Sequence, residues 1–82
     1  MDKLNDIRLQ INQIDDEIMS LLDKRYHLTK DIGILKKENK TEVLDTNRED
    51  FILSKASKYS HYPQIKSVYT TIMNESKKEQ RK

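Results

Sequence analysis

The chain has no cysteine, one glycine, one proline and two histidines in 82 residues. Without cysteine there are no disulfides and no thiol chemistry. The two histidines, His27 and His61, lie far apart in sequence, so a histidine-rich metal site is not expected. One glycine and one proline leave almost no punctuation, which argues against β-hairpins and Gly-rich phosphate loops. No apolar run approaches the roughly 18 residues of a membrane span, and no secretory leader pattern opens the chain. An excess of one charge is also lacking: 16 basic and 14 acidic residues are interspersed, for a formal net charge of +2. A general nucleic-acid or membrane-surface binder would carry a basic run or stripe. The basic ending Lys77-Lys78-Glu79-Gln80-Arg81-Lys82 suits a helix C-terminus instead. The expectation is a soluble, cytoplasmic protein that engages neither nucleic acid nor membrane.

What is present is helical periodicity. Apolar residues fall at Leu4, Ile7, Ile11, Ile14, Ile18 and Leu21, then at Leu28, Ile32 and Leu35. Spacings of three and four predict one amphipathic helix with a coiled-coil-like seam, from about Lys3 to about Lys37. At about 1.5 Å per residue it is on the order of 50 Å long, too long for a small globule. It must project beyond its own domain or run beside a partner. With 34% hydrophobic and 37% charged residues the core is thin, so an oligomer is expected. Gly33 lies inside this helix and reads as a close helix–helix approach or as a tolerated residue. One place in the seam is wrong. Between Leu21 and Leu28 the rhythm calls for an apolar residue and the chain supplies Arg25, whose charge needs an anionic partner if buried.

Periodicity is lost from Glu38 to Asp45, which reads as a loop. A second helix follows, with Asp45 and Thr46 equally good caps and Glu49 placed to complete a capping box with Thr46. It carries Phe51, Ile52, Ala56 and Tyr59 on one side. Ser60-His61-Tyr62 breaks it, and Pro63 suits the first turn of a third helix whose buried face holds Ile65, Val68, Tyr69, Ile72 and Met73. The fold class is therefore all-α: three helices, long, short and medium, in a single domain over residues 1–82.

Several polar residues sit where a core face would run. The third helix's apolar stripe continues into Ser76 and then Gln80, one turn later. Lys36 lies eleven residues after Arg25, nearly a whole number of turns, so both leave the same face about 16 Å apart, able to lean toward one small dianion. Arg8 borders the seam about 25 Å from Arg25, so it cannot share a small ligand with Arg25 of its own chain. An antiparallel partner helix could bring a second Arg8 close, which would make such a site intersubunit. Asp45, Arg48 and Glu49 open the second helix.

Taken together, Arg8, the run Ile14-Asp15 to Leu21-Leu22, Arg25, Lys36, Asp45-x-x-Arg48-Glu49 and Ser76-x-x-x-Gln80 resemble the small all-helical chorismate mutase family. Each motif is weak alone; their order and spacing over nearly the whole chain are specific. The resemblance implies an intertwined homodimer, with long first helices antiparallel and two equivalent sites. Each site would take Arg25, Lys36, Asp45, Arg48, Glu49, Ser76 and Gln80 from one subunit and Arg8 from the other.

The implied reaction is the rearrangement of chorismate to prephenate, on the phenylalanine and tyrosine branch of aromatic amino-acid biosynthesis. It is pericyclic: one C–O bond breaks as one C–C bond forms, with no cofactor, metal or nucleophile. The resemblance gives Arg25 and the partner's Arg8 the two carboxylates, with Arg48 supporting them electrostatically. Glu49 with the Asp45 region takes the ring hydroxyl, Ser76 contacts a carboxylate, and Lys36 and Gln80 donate to the ether oxygen. Two other readings are weighed against this one. A relative of the same fold could eliminate pyruvate from isochorismate, and a non-catalytic helical dimerisation or regulatory module would explain the seam but not Arg25, Ser76 or Gln80.

Overall fold

The computed structural model describes residues 2–82. Helix α1 (Asp2–Glu38) is followed by α2 (Thr46–Ser54), a 3-10 turn (Lys55–Lys58) and α3 (Tyr62–Gln80), with no strand among the described residues. The all-α, long–short–medium order is the expected one. Helix α1 keeps its expected extent within a residue at each end. Helix α3 begins at Tyr62, which places Pro63 in its first turn as anticipated.

Helix α1 ends in a Schellman turn. Lys40 takes the left-handed conformation at φ 54°, the Lys40 N–H reaches the Lys37 carbonyl at 3.3 Å, and the Thr41 N–H reaches the Lys36 carbonyl at 2.8 Å. Lys36 and Lys37 lie in the last turn, where cations favour the helix dipole. Of the two possible caps for α2, the structure uses Asp45. Its carboxylate accepts from the Arg48 N–H at 3.0 Å, and Thr46 becomes the first helical residue. Beyond Ser54 the second helix tightens to 3-10 geometry, which turns Ala56 inward to 5% exposure.

The molecule is elongated, 57 × 24 × 14 Å, with a radius of gyration of 16.1 Å. A compact chain of this length would have about 12 Å. Its core is small: Ala56, Ile72 and Met73 are buried, together with the polar Thr29 and Ser76. Of the described residues of α1, only Leu22, Arg25, Tyr26, Thr29, Gly33 and Lys36 are not exposed. This is the stripe that packs within the chain, and it is mostly polar or small.

The apolar series read as a seam is a different face, and it is open. Leu21 is 63%, Leu28 64% and Leu35 56% exposed, and Leu4 to Ile18 are similarly uncovered. The expectation that Arg25 interrupts a buried seam is therefore corrected: Arg25 belongs to the neighbouring stripe, against α3. A spacing of three and four drifts by about 20° per heptad on a straight helix. Two adjacent stripes thus share one rhythm, and periodicity alone does not say which of them packs. Phe51, Tyr59 and Val68, expected inside, are likewise 56%, 59% and 58% exposed. Val68 instead borders an apolar groove of about 400 Å³ with Ile18, Leu21 and Ile65.

Gly33 is a close approach, one of the two expectations for it. A Cβ there would lie 2.5 Å from the carbonyl oxygen and 2.6 Å from the Cα of Gln80, backbone atoms of the last residue of α3. Alanine would favour the α1 helix by about 1 kcal/mol, but forcing two backbones apart costs about 1–3 kcal/mol. Gly33→Ala is expected to lower stability by up to about 2 kcal/mol, read from denaturant unfolding at fixed protein concentration.

Candidate active site

Arg25 and Lys36 leave α1 toward a cavity of about 310 Å³ closed by the α1–α2 loop, the start of α2 and the end of α3. Each is held by a neutral acceptor. The Arg25 Nη1 donates to Ser76 Oγ at 2.6 Å, and that hydroxyl donates onward to the Ile72 carbonyl at 2.7 Å. Beneath it, Thr29 Oγ1 donates to the Arg25 carbonyl at 2.7 Å, and the guanidinium lies 6.0 Å from the Tyr69 ring centroid. Lys36 Nζ donates to the Val43 carbonyl at 2.9 Å. The turn that ends α1 therefore holds Lys36 twice, by its backbone carbonyl and by its side chain.

Capping of α2 by Asp45 aims the next residues. Arg48 and Glu49 occupy the first turn beyond the cap, and both line the cavity with Asp45 itself. Glu49 is paired with Lys77 of α3, Oε2 to Nζ at 3.2 Å. Gln80 closes the far end, and its Oε1 is buried without a protein hydrogen-bond partner. Almost all buried side-chain polar atoms are paired, so this headgroup has capacity left for a ligand.

Seven of the eight residues singled out from sequence thus line one cavity: Arg25, Lys36, Asp45, Arg48, Glu49, Ser76 and Gln80. Arg8 does not. It is exposed on the N-terminal half of α1, about 25 Å along the helix from Arg25. Sequence reasoning missed Thr29 and Lys77. Thr29 lies one turn after Arg25 on the packing stripe, a position visible only once that stripe is distinguished from the apolar one. Lys77 lies three residues before Gln80 on the same side of α3, and its basic neighbours masked it as part of a solvated ending.

Electrostatically the cavity favours anions. Four cations, Arg25, Lys36, Arg48 and Lys77, line it with two carboxylates, Asp45 and Glu49. One carboxylate is engaged in the cap and the other with Lys77. Among the described residues no carboxylate pairs with Arg25, Lys36 or Arg48. The volume lies at the small end for ligand sites. No Cys lines the cavity, nor does either His, and no cluster of three metal-ligating side chains occurs among the described residues.

The arrangement suits a small, multiply anionic molecule, to which it can offer hydrogen-bond donors. Residues 7–81 match the family model described as chorismate mutase type II. The chain belongs to that family. A chorismate mutase of Methanocaldococcus jannaschii is 33% identical over 58 residues, which is 71% of this chain and 59% of that protein. Less than two thirds of that relative's length is therefore matched.

Arg25 offers a test independent of turnover. Replacing a partly buried charge by an apolar side chain is often neutral or stabilising, and Ser76 would keep its bond to the Ile72 carbonyl. Arg25→Leu is expected to leave the unfolding midpoint unchanged or raised. A loss beyond about 2 kcal/mol would instead make Arg25 a structural residue.

Proposed function

We propose that this protein is a chorismate mutase that rearranges chorismate to prephenate within a homodimer. The observation that carries it is the pair Arg25 and Lys36: two half-buried cations held by neutral acceptors, without carboxylate partners, facing one small cavity. Family membership adds the substrate class.

In this mechanism the protein acts on conformation and charge. Arg25, steadied by Ser76, takes one carboxylate in the planar fork that guanidinium suits. The partner's Arg8 takes the other, and Arg48 adds to the positive field. Clamped at both carboxylates, the enolpyruvyl arm lies over the ring, and the entropy of reaching that conformer is lost on binding rather than in the transition state. Glu49 accepts from the ring hydroxyl. As the C–O bond lengthens, negative charge grows on the ether oxygen, and the Lys36 ammonium with the Gln80 amide donates to it. No proton leaves the substrate in this rearrangement.

Support for the dimer is the surface one chain leaves open. The chain exposes 7062 Å², whereas a compact monomer of 9.8 kDa exposes about 5,200 Å². The excess, about 1,900 Å², matches what an obligate homodimer covers per subunit, about 1,000–2,500 Å². The open apolar face of α1 and the groove beside Val68 are its natural seats. An antiparallel second α1 on that face brings a partner's Arg8 toward Arg25. The same covering would exclude water from the cavity.

The deciding experiment is chorismate consumption by the purified protein with no added metal, with the product identified. Prephenate at a saturable rate is expected; no turnover overturns the proposal. Losing one donor to developing charge costs about 10²–10³ in kcat, so Lys36→Ala and Gln80→Ala should stay folded and lose that much. For the intersubunit site, Arg8→Ala and Arg25→Ala should each be inactive alone. After mixing and subunit exchange they should recover about a quarter of wild-type activity, since half the dimers carry one intact site. No recovery would put Arg8 outside the site.

A further inference from the structure

Lys77 has no part in the mechanism above, yet it lines the cavity beside Glu49 and Gln80. Its side chain is only 21% exposed and that of Glu49 only 23%. The other lysine–glutamate pairs at the C-terminal end of the chain, Lys78 with Glu75 and Lys82 with Glu79, are i, i+3 neighbours whose lysines are 68% and 67% exposed. Pairs of that kind contribute little. Lys77 and Glu49 instead come from different helices and meet across the cavity wall, where screening by solvent is weaker.

The contact uses one carboxylate oxygen. Nζ lies 3.2 Å from Oε2, and an ionised carboxylate has lone pairs to spare on the other oxygen. Glu49 needs no lysine for local reasons, since the first turn of a helix already favours an anion. What the lysine adds is direction. A glutamate has three side-chain torsions, and a carboxylate free to sweep them would turn toward Arg25 or Lys36 and compete there with the ligand's own carboxylates.

We propose that Lys77 is a positioning residue that acts through Glu49 and sets specificity for the substrate's ring hydroxyl. It holds Oε2, leaves Oε1 to accept from the hydroxyl, and keeps the Glu49 charge away from the cations that bind the carboxylates. This rests on the chorismate mutase reading of the cavity and deepens it. Lys77 touches no reacting atom.

The test compares kcat/KM for chorismate with that for its analogue lacking the ring hydroxyl, in the wild type, Lys77→Gln and Lys77→Arg. Inhibition constants serve if the analogue is not turned over. A hydrogen bond to a charged group discriminates by about tenfold or more. The wild type should therefore prefer the hydroxylated substrate, and Lys77→Gln should lower that preference about tenfold while raising KM for chorismate. Lys77→Arg, which restores the cation, should keep the preference within about twofold of wild type. A role in folding alone would lower both substrates by one factor and leave the preference unchanged. That result, with an active wild type, overturns the inference and spares the function. A wild type inert toward chorismate overturns both.

Discussion

The shape of the cavity depends on how closely the end of α3 lies against α1 at Gly33. With no side chain at that position the backbone of Gln80 sits where a Cβ would otherwise be. That contact sets the height of α3 along α1. One turn earlier, Ser76 meets the Arg25 guanidinium, and between them Lys77 reaches across to Glu49. Three buried apolar side chains among the described residues make little core to hold such a register. Backbone proximity supplies it, and the Arg25–Ser76 hydrogen bond ties the same two helices together.

The second constraint is charge without counter-charge. Half-buried cations are ordinarily neutralised by carboxylates. Here Arg25 rests on a hydroxyl and Lys36 on a peptide carbonyl. Neutral acceptors satisfy part of each cation's donor capacity and leave its charge in place. The carboxylates that could have quenched the cavity are engaged elsewhere, Asp45 in capping α2 and Glu49 with Lys77. A fold arranged in this way leaves a net positive field in the cavity.

Helix α1 serves two surfaces with one sequence. Its small and polar stripe, Thr29 and Gly33 above all, faces α3 and builds the cavity. Its apolar stripe, from Leu4 to Leu35, is left largely exposed by its own chain. A helix that turned its largest apolar residues toward α3 would leave no room for the cavity. The division explains how so elongated a molecule, with so small a core, belongs to a family of enzymes.

The helices and their limits were legible because they depend on local physics. Spacings of three and four, a single proline and a cap at Asp45 act over one or two turns, and α1, α3 and the start of α2 fall where those signals put them. Helix α2 instead gives way to a 3-10 turn after Ser54, short of the expected break at Ser60. Most residues of the cavity were legible too: Arg25, Ser76 and Gln80 are polar where an apolar residue was expected, Lys36 repeats the face of Arg25 eleven residues on, and Asp45, Arg48 and Glu49 open the second helix. Tertiary structure alone decided which of two adjacent stripes of α1 packs on α3. It alone decided that Gly33 marks a backbone contact with Gln80, and that Lys77 turns inward to Glu49 while Lys78 turns out. Those outcomes depend on the rotation of one helix against another. A helix's own sequence specifies its faces, but what each face meets is set by residues far away along the chain.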